Sequence, residues 1–205
     1  MAQTHVVRLG RPLLDRLMRL TGRSLAEDPL IRHALPDPAT RSGRVAWLYG
    51  RCIAYGLRYG AVDVETEGRG LAIWLPPEAP AMRLGRCVRI GLVWAPWQLG
   101  PGASLRLQRA NRCMERLHRG AIGEPHWHLC LVAVDPDAQG LGLGKALLRH
   151  GLDRCDTDRM PCYLDTANPQ NRDYFRRYGF AEVGSERVDS AGPEIHAMVR
   201  SAPSG

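Results

Sequence analysis

Lysine, phenylalanine and clustered cysteine are what this sequence has least of. Lys145 is the single lysine among 28 basic residues, and Phe175 and Phe180 are the two phenylalanines. Such a bias toward Arg follows genome composition and carries no function by itself. Six cysteines, Cys52, Cys87, Cys113, Cys130, Cys155 and Cys162, form no C-x-x-C pair. That spacing argues against a zinc site or a disulfide framework. Their apolar neighbours suit small buried hydrophobes in a reducing compartment, so a cytoplasmic location and no metal are expected. No apolar run approaches the roughly 18 residues a membrane span needs, and the N-terminus lacks a signal peptide's apolar centre. Internal repeats and composition-shifted linkers are also missing.

What is present is an ordinary globular composition. With 205 residues, 44% hydrophobic and 24% charged, the chain reads as a single folded domain rather than a disordered or fibrous one. The net charge of +7 resides in one window: residues 81–120 hold eight Arg against the single acid Glu115. No aromatic residue interleaves with the Arg over 103–120, so neither nucleic acid nor a membrane is expected as a partner; the row Arg106, Arg109, Arg112, Arg116 and Arg119 reads as a solvated helix face, with a helix on an anionic membrane or an anion-binding surface as the alternatives.

Periodicity organises the rest. His5–Leu9 opens as a strand. Leu13, Leu14, Leu17 and Leu20 give an amphipathic helix ending near Gly22, and Pro29, Pro36 and Pro38 mark a loop or short turns. A helix runs from Thr40 to about Tyr55. Gly60–Thr66 and Leu71–Leu75 form a hairpin around Glu67-Gly68, and helices follow over 81–120, broken at Pro96 and at Gly100-Pro101-Gly102. His126–Val134 is the strongest strand and reads as central. A glycine-rich loop, a helix from Ala146 to about Cys155, the strand Cys162–Asp165, a helix over Asn171–Tyr178 and the strands Phe180–Arg187 and Glu194–Val199 complete the chain, with 201–205 as a tail. The fold class is α+β around one mixed sheet.

Chemistry concentrates in Gln139-Gly140-Leu141-Gly142-Leu143-Gly144-Lys145, between a strand and a helix. Alternating glycines admit close backbone approach, and a helix start offers free N–H groups and a positive dipole end, which suits a pyrophosphate. Ala146 follows Gly144-Lys145, so the hydroxyl of a Walker A loop is missing, and G-x-G-x-x-G fails because Lys145 occupies the third glycine's place. A tight strand-to-helix turn with no ligand fits the same residues.

Gln139-x-x-Gly142-x-Gly144 after Val132-Ala133-Val134-Asp135-Pro136, followed by Asn168-Pro169-Gln170-Asn171 and the run to Tyr178-Gly179-Phe180, resembles the two acetyl-CoA signatures of the GNAT superfamily of N-acyltransferases. With Glu124-Pro125-x-Trp127 and Ile73-Trp74-Leu75-Pro76-Pro77, the likeness is greatest to puromycin N-acetyltransferase and its bacterial relatives. It is specific over about 121–187, weaker over 1–80, and over 81–120 rests on helical character alone. The resemblance implies the GNAT acyltransferase fold: a mixed central sheet flanked by helices, with a helical insertion at about 81–120. It implies a single domain, its acceptor-side half in 1–120 and its acetyl-CoA-binding half in 121–200, with 201–205 as the tail.

It further implies that acetyl-CoA is a cosubstrate. The backbone of Val132, Ala133 and Val134 would pair with the pantetheine arm. The amides of Gln139, Gly140, Leu141, Gly142, Leu143, Gly144 and Lys145 would hold the pyrophosphate, and Asn171 would bond the arm. Lys145 and Arg149 either reach the phosphates or stay solvated. The thioester would sit where the central strand splays from its neighbour, beside a backbone amide able to stabilise an oxyanion by about 3 kcal/mol.

Amine acetylation needs a base. The family's position for it falls at His128, with His126 on the same strand and Glu124 at its entrance; each histidine also fits a structural role. His5, His33, His118, His150 and His196 read as surface or structural. The family's acid position, normally Tyr beside the cofactor, is Phe175, which cannot donate a proton; Tyr174 and Tyr178 flank it, and Tyr174 takes the role only if the helix is turned. The expected activity is acetyl transfer to a primary amine of a small molecule by direct attack, since no cysteine holds a nucleophile position. Trp74, Tyr49, Tyr55 and Asp63 are the candidate lining of the acceptor pocket, and the protein is expected as a monomer or homodimer. Two rival functions remain: a protein or peptide N-acetyltransferase, and a CoA-binding module without turnover, which Phe175 favours.

Overall fold

A computed structural model of the protein describes residues 10–78 and 84–203. The expected strand His5–Leu9 lies outside them. Helix α1 (Arg11–Ser24) and α3 (Pro38–Tyr59) flank a short α2 (Pro29–Ala34). Two of the three prolines start helices, and Pro36 lies between them: Pro29 and Pro38 open α2 and α3, behind Asp28 and Asp37, whose side chains accept from the first free amides. The hairpin β1 (Ala61–Val64) and β2 (Gly70–Leu75) follows, antiparallel as expected.

Between β2 and the central strand lie α4 (Leu84–Arg89), a 3-10 turn at Leu92–Trp94, α5 (Ala95–Leu99) and α6 (Pro101–Ala121). Pro96 sits in the first turn of α5 instead of breaking a helix. The second half is β3 (Trp127–Val134), α7 (Leu143–Thr157), β4 (Cys162–Thr166), α8 (Pro169–Arg176), β5 (Ala181–Arg187) and β6 (Glu194–Arg200). Helix α7 begins at Leu143, earlier than the sequence pattern suggested, because Gly142 in the left-handed region forms its N-cap.

Among the described residues six strands make one sheet in the order β1-β2-β3-β4-β6-β5. Only the β3–β4 pair at its centre is parallel; its neighbours are antiparallel. Helices α1 and α3 cover one face through Leu17, Leu20, Ile53 and Tyr55 against Leu71, Ile73 and Leu131. On the other face α7 and α8 bury Leu147, Leu148, Leu152 and Phe175 with Trp74, Leu129 and Leu164. Gly151 of α7 makes this close approach possible: a Cβ there would lie 2.0 Å from the Trp74 indole.

This packing corrects the expected acceptor lining. Trp74 and Tyr55 are fully buried, and Asp63, 1% exposed, is held by Arg154 at 2.9 Å. They are core and ion-pair residues, leaving Tyr49 of the four beside the site described next. All six cysteines are free thiols. No described helix is long and apolar enough to cross a membrane.

Candidate active site

The site begins as a defect in the sheet. β3 pairs with β4 only at Trp127–Cys162 and His128–Tyr163, and the ladder then stops. On its other edge β3 carries a bulge: Trp74 pairs with Leu129 and Ile73 with Leu131, leaving Cys130 as the extra residue. Such a bulge bends and twists the strand that contains it, which is how β3 leaves its parallel neighbour. Beyond His128 the β4-facing edge of β3, including Val132, Ala133 and Val134, is free of ladder pairing, and the strand's far end runs into the glycine loop.

At that loop end the backbone supplies the chemistry. Gly140 and Gly142 have φ of +81° and +78°, a region that L side chains rarely adopt, and nothing stands within 4 Å of either Cβ position. No side chain caps Gly142, so the first amides of the 15-residue α7, those of Leu143, Gly144 and Lys145, stay available. Gln139, Gly140, Leu141 and Lys145 are exposed, as is Arg149. Arg23 of α1 secures the approach to the loop with contacts of 3.0 Å to Asp135 and 2.8 Å to Asp137. The residues fit a diphosphate: glycine backbone open to close approach, an uncapped helix N-terminus and an exposed cation at Lys145.

Helix α8 borders the same end. Asn168 caps it, accepting from the Gln170 amide at 3.0 Å, and Asn171 contacts the Thr166 hydroxyl at 3.4 Å. Tyr174 turns toward the loop, its hydroxyl 3.6 Å from the Cβ position of Gly144, and burial pushes its pKa up. Phe175 points the other way, 5% exposed and packed 5.8 Å from Phe180. Tyr174 therefore stands beside Gly144 and Val134, about 20 Å along β3 from His128 at 3.3 Å per residue.

At the parting end, side chains do the work. Tyr163 and Asp165, two apart on β4, share a face with His128 of β3. Asp165 and His128 approach to 3.8 Å. Burial pushes the Asp165 carboxyl up to about 6, and Tyr163 partly offsets this. The Tyr163 hydroxyl is buried beside Asp165, near enough to ease its ionisation but outside hydrogen-bond geometry with any of the described residues. Burial first, and then neighbouring acids and thiols, raise Tyr49 of α3 and the thiols of Cys52 and Cys130, Cys52 to about 12. These cysteines are protonated thiols near neutrality and poor nucleophiles.

Three histidines gather around Tyr163. His118 of α6 stacks on it, with centroids 4.1 Å apart and planes within 11°, and lies 5.1 Å edge-on from His128. His126 reaches His118 at 2.6 Å between Nε2 atoms, and its Nδ1 meets the Glu124 carbonyl at 2.6 Å. His126 precedes β3 rather than belonging to it, and Glu124 is exposed and engages His126 through its backbone. Among the described residues, no group of three or more His, Cys, Asp and Glu converges on a point a metal could take.

Sequence reasoning placed the loop, His128 and His126 but missed Asp165, Tyr163 and His118. For His118 a signal existed: it lies four residues beyond Met114 and eleven beyond Leu107, on the apolar stripe of α6. For Asp165 none did, because its value depends on the register of β4 against β3.

Residues 102–180 match the acetyltransferase (GNAT) family. A mycothiol acetyltransferase of Thermomonospora curvata is 30% identical over 174 residues, 80% of this chain and 50% of that protein. One from Salinispora arenicola is 38% identical over 85 residues, 40% of this chain and 26% of that protein. The chain thus spans half or less of the length of these curated relatives. In overall shape it matches a Corynebacterium glutamicum structure described as histone acetyltransferase HPA2 and related acetyltransferase (TM-score 0.66, 22% identity, 100% and 99% of the two chains). It also matches arylalkylamine N-acetyltransferase 2 of Aedes aegypti (TM-score 0.57, 12% identity, 97% and 98% covered). A six-stranded mixed sheet whose central parallel pair parts beside a glycine loop gives this chain the GNAT fold, and its residues 102–180 match the GNAT acetyltransferase family.

Proposed function

We propose that this protein transfers an acetyl group from acetyl-CoA to a primary amine of a small molecule, by direct attack in a ternary complex. The observation that carries the reading is the parting of β3 from β4, with bare amides at one end and the Asp165–His128 pair at the other. Acetyl-CoA supplies the activated acetyl thioester.

The chain's own residues divide the remaining work. The amides of Gly142 to Lys145 hold the diphosphate, and the unpaired edge of Val132–Val134 receives the pantetheine amides as an added strand would. An alkylammonium must lose a proton before it attacks, since its pKa lies near 10.4. Asp165, held near 6, and His128 at 3.8 Å are placed to take it. A β3 amide near the bulge serves the developing oxyanion. Phe175 leaves the departing thiolate with no phenol from that position. Tyr174 belongs to the loop end, so thiolate departs with help from water.

The test incubates the protein with acetyl-CoA and a panel of amines: an arylalkylamine, agmatine, puromycin, the amine precursor of mycothiol, and peptide N-termini. Thiol release and product mass are followed. Turnover on a small amine supports the reading, and turnover confined to peptides assigns the chain to protein acetylation. Binding of CoA with no turnover on any amine identifies a binding module, the outcome Phe175 favours.

A further inference from the structure

We propose that His118, delivered by α6, is a positioning residue for acetyl transfer: its ring, fixed through His126 to the Glu124 carbonyl, holds His128 beside Asp165. This rests on the acetyltransferase reading above and adds to it a residue from a helix to which the sequence assigned no role.

Hydrogen-bond logic sets the chain of contacts. A carbonyl oxygen only accepts, so His126 must present Nδ1–H to Glu124 across their 2.6 Å contact. In a neutral His126 the Nε2 then carries a lone pair, and His118 must present Nε2–H across the second 2.6 Å contact. The His118 ring is thereby pinned in tautomer and in plane. In that plane it lies flat on Tyr163 at 4.1 Å and meets the edge of His128 at 5.1 Å. Tyr163 also meets His128 edge-on, at 5.1 Å and 73°. His128 is thus held between two aromatic rings while its Nε2 lies 3.8 Å from the Asp165 carboxyl.

A neutral ring is required for this work. A cation at His118 would repel the incoming ammonium and weaken Asp165 as a base. Burial, then His128 and His126, hold the His118 pKa down at about 3, so it stays neutral across the working range. The ionisable groups near it from the packed elements are Tyr163 and Asp165 on β4, His128 on β3, His126 before it, and Cys113 on α6 itself. Glu186 on β5 is already engaged by Arg116. Of these, Asp165 once ionised is the group whose charge favours a cation at His118, and burial with the neighbouring His128 and His126 outweighs it.

The experiment separates stacking from hydrogen bonding. His118→Phe keeps a flat ring over Tyr163 and loses the bond to His126; His118→Gln keeps a donor for His126 and loses the ring. With acetyl-CoA and the best amine of the panel, His118→Gln is expected to lower kcat about tenfold and to displace the pH limb near 6, leaving the KM for acetyl-CoA within about twofold. His118→Phe should restore most of kcat. Equal losses in both variants, or no loss in either, overturn the proposal. In parallel, the 15N and 13C imidazole signals of His128 are recorded without substrate. They should move in His118→Gln and stay in place in His118→Phe; unchanged His128 signals in both variants also overturn it. This second readout is independent of turnover, so an inactive wild-type protein would defeat the acetyltransferase reading without deciding this one. In the wild type the same spectra must show Nε2–H on His118 and Nδ1–H on His126, and the reverse tautomers refute the scheme even if neither variant folds.

Discussion

The two ends of β3 are built from different materials. At the loop end the groups proposed to bind the cosubstrate are backbone amides, and Gly140, Gly142 and Gly144 matter to that proposal for what they lack. They alternate within five residues of sequence, and two of them hold φ near +80°. At the parting end the functional groups are side chains drawn from β3, β4, α6 and α3, brought together by one bulge and one truncated ladder. A binding site of backbone survives most changes in side-chain chemistry but fails when its dihedral angles are denied. A site of converging side chains fails when one group is neutralised. The predictions below press on that asymmetry.

Asp165→Asn should have the largest effect. Removing the carboxyl is expected to lower kcat by about 10²–10⁴, with the KM for acetyl-CoA nearly unchanged. In the parent protein kcat/KM should rise with pH through about 6, because Asp165 must be ionised to accept a proton. That limb should vanish in the variant. The same substitution should stabilise the fold. A carboxyl raised from 3.8 to about 6 binds its proton more tightly folded than unfolded, so its ionisation opposes folding once the pH exceeds the unfolded value. At neutral pH that cost is up to about 3 kcal/mol. The parent should therefore melt at higher temperature as the pH is lowered from 7 toward 4, to the extent that Asp165 governs the change, and Asp165→Asn should melt several degrees higher than the parent at pH 7. An inactive but stabilised variant is the signature; an inactive, destabilised one would make Asp165 a structural residue.

Legibility in the sequence follows the same division. The hairpin, the central strand and the Gly142–Gly144 turn were readable because each depends on neighbours in the chain: alternation, a dipeptide turn, glycine at fixed spacing. The placing of His128 was readable by counting back from Gln139. Asp165 was not, since a carboxylate at the end of a short apolar strand looks like any strand terminus until the parallel register with β3 is known. Trp74 and Tyr55 misled for the converse reason. Large aromatic residues suit a pocket wall as well as a core, and only the tight approach of Gly151 to the indole shows which applies. Pro29 misled because proline signals the start of a helix as readily as a loop.

Gly151→Ala leaves both ends chemically intact and strikes the packing between them. Its Cβ would lie 2.0 Å from two Trp74 ring carbons, and the indole, fully buried, has nowhere to turn. Overpacking of this kind costs about 3 kcal/mol, read as a lower denaturant midpoint. Activity per folded molecule should change little at low temperature. If kcat falls while the midpoint holds, α7 and β2 are coupled to the chemistry and the division between the two ends is too sharp.

Gly142→Val should act at the loop end alone. The left-handed φ of +78° costs a β-branched residue about 1–2 kcal/mol, and the first amides of α7 lose their orientation. The expected result is a KM for acetyl-CoA raised about tenfold with kcat changed less. Circular dichroism should show the helix content retained. A fall in kcat with KM preserved would mean that the loop shapes the reacting end as well.

Glu124→Gln should do least, and its null result is informative. By position Glu124 was a candidate base at the entrance of β3, yet its carboxylate is exposed and its part in the cluster is the backbone carbonyl that receives His126 Nδ1–H. Replacing the acid by the amide leaves that carbonyl in place, along with the tautomers that depend on it. The pH limb near 6 should be unmoved and kcat should stay within about twofold of the parent. If instead the limb disappears in Glu124→Gln and persists in Asp165→Asn, proton abstraction belongs to the strand's exposed entrance. The buried cluster at the parting of β3 and β4 would then be scaffolding for that entrance rather than the site of the chemistry.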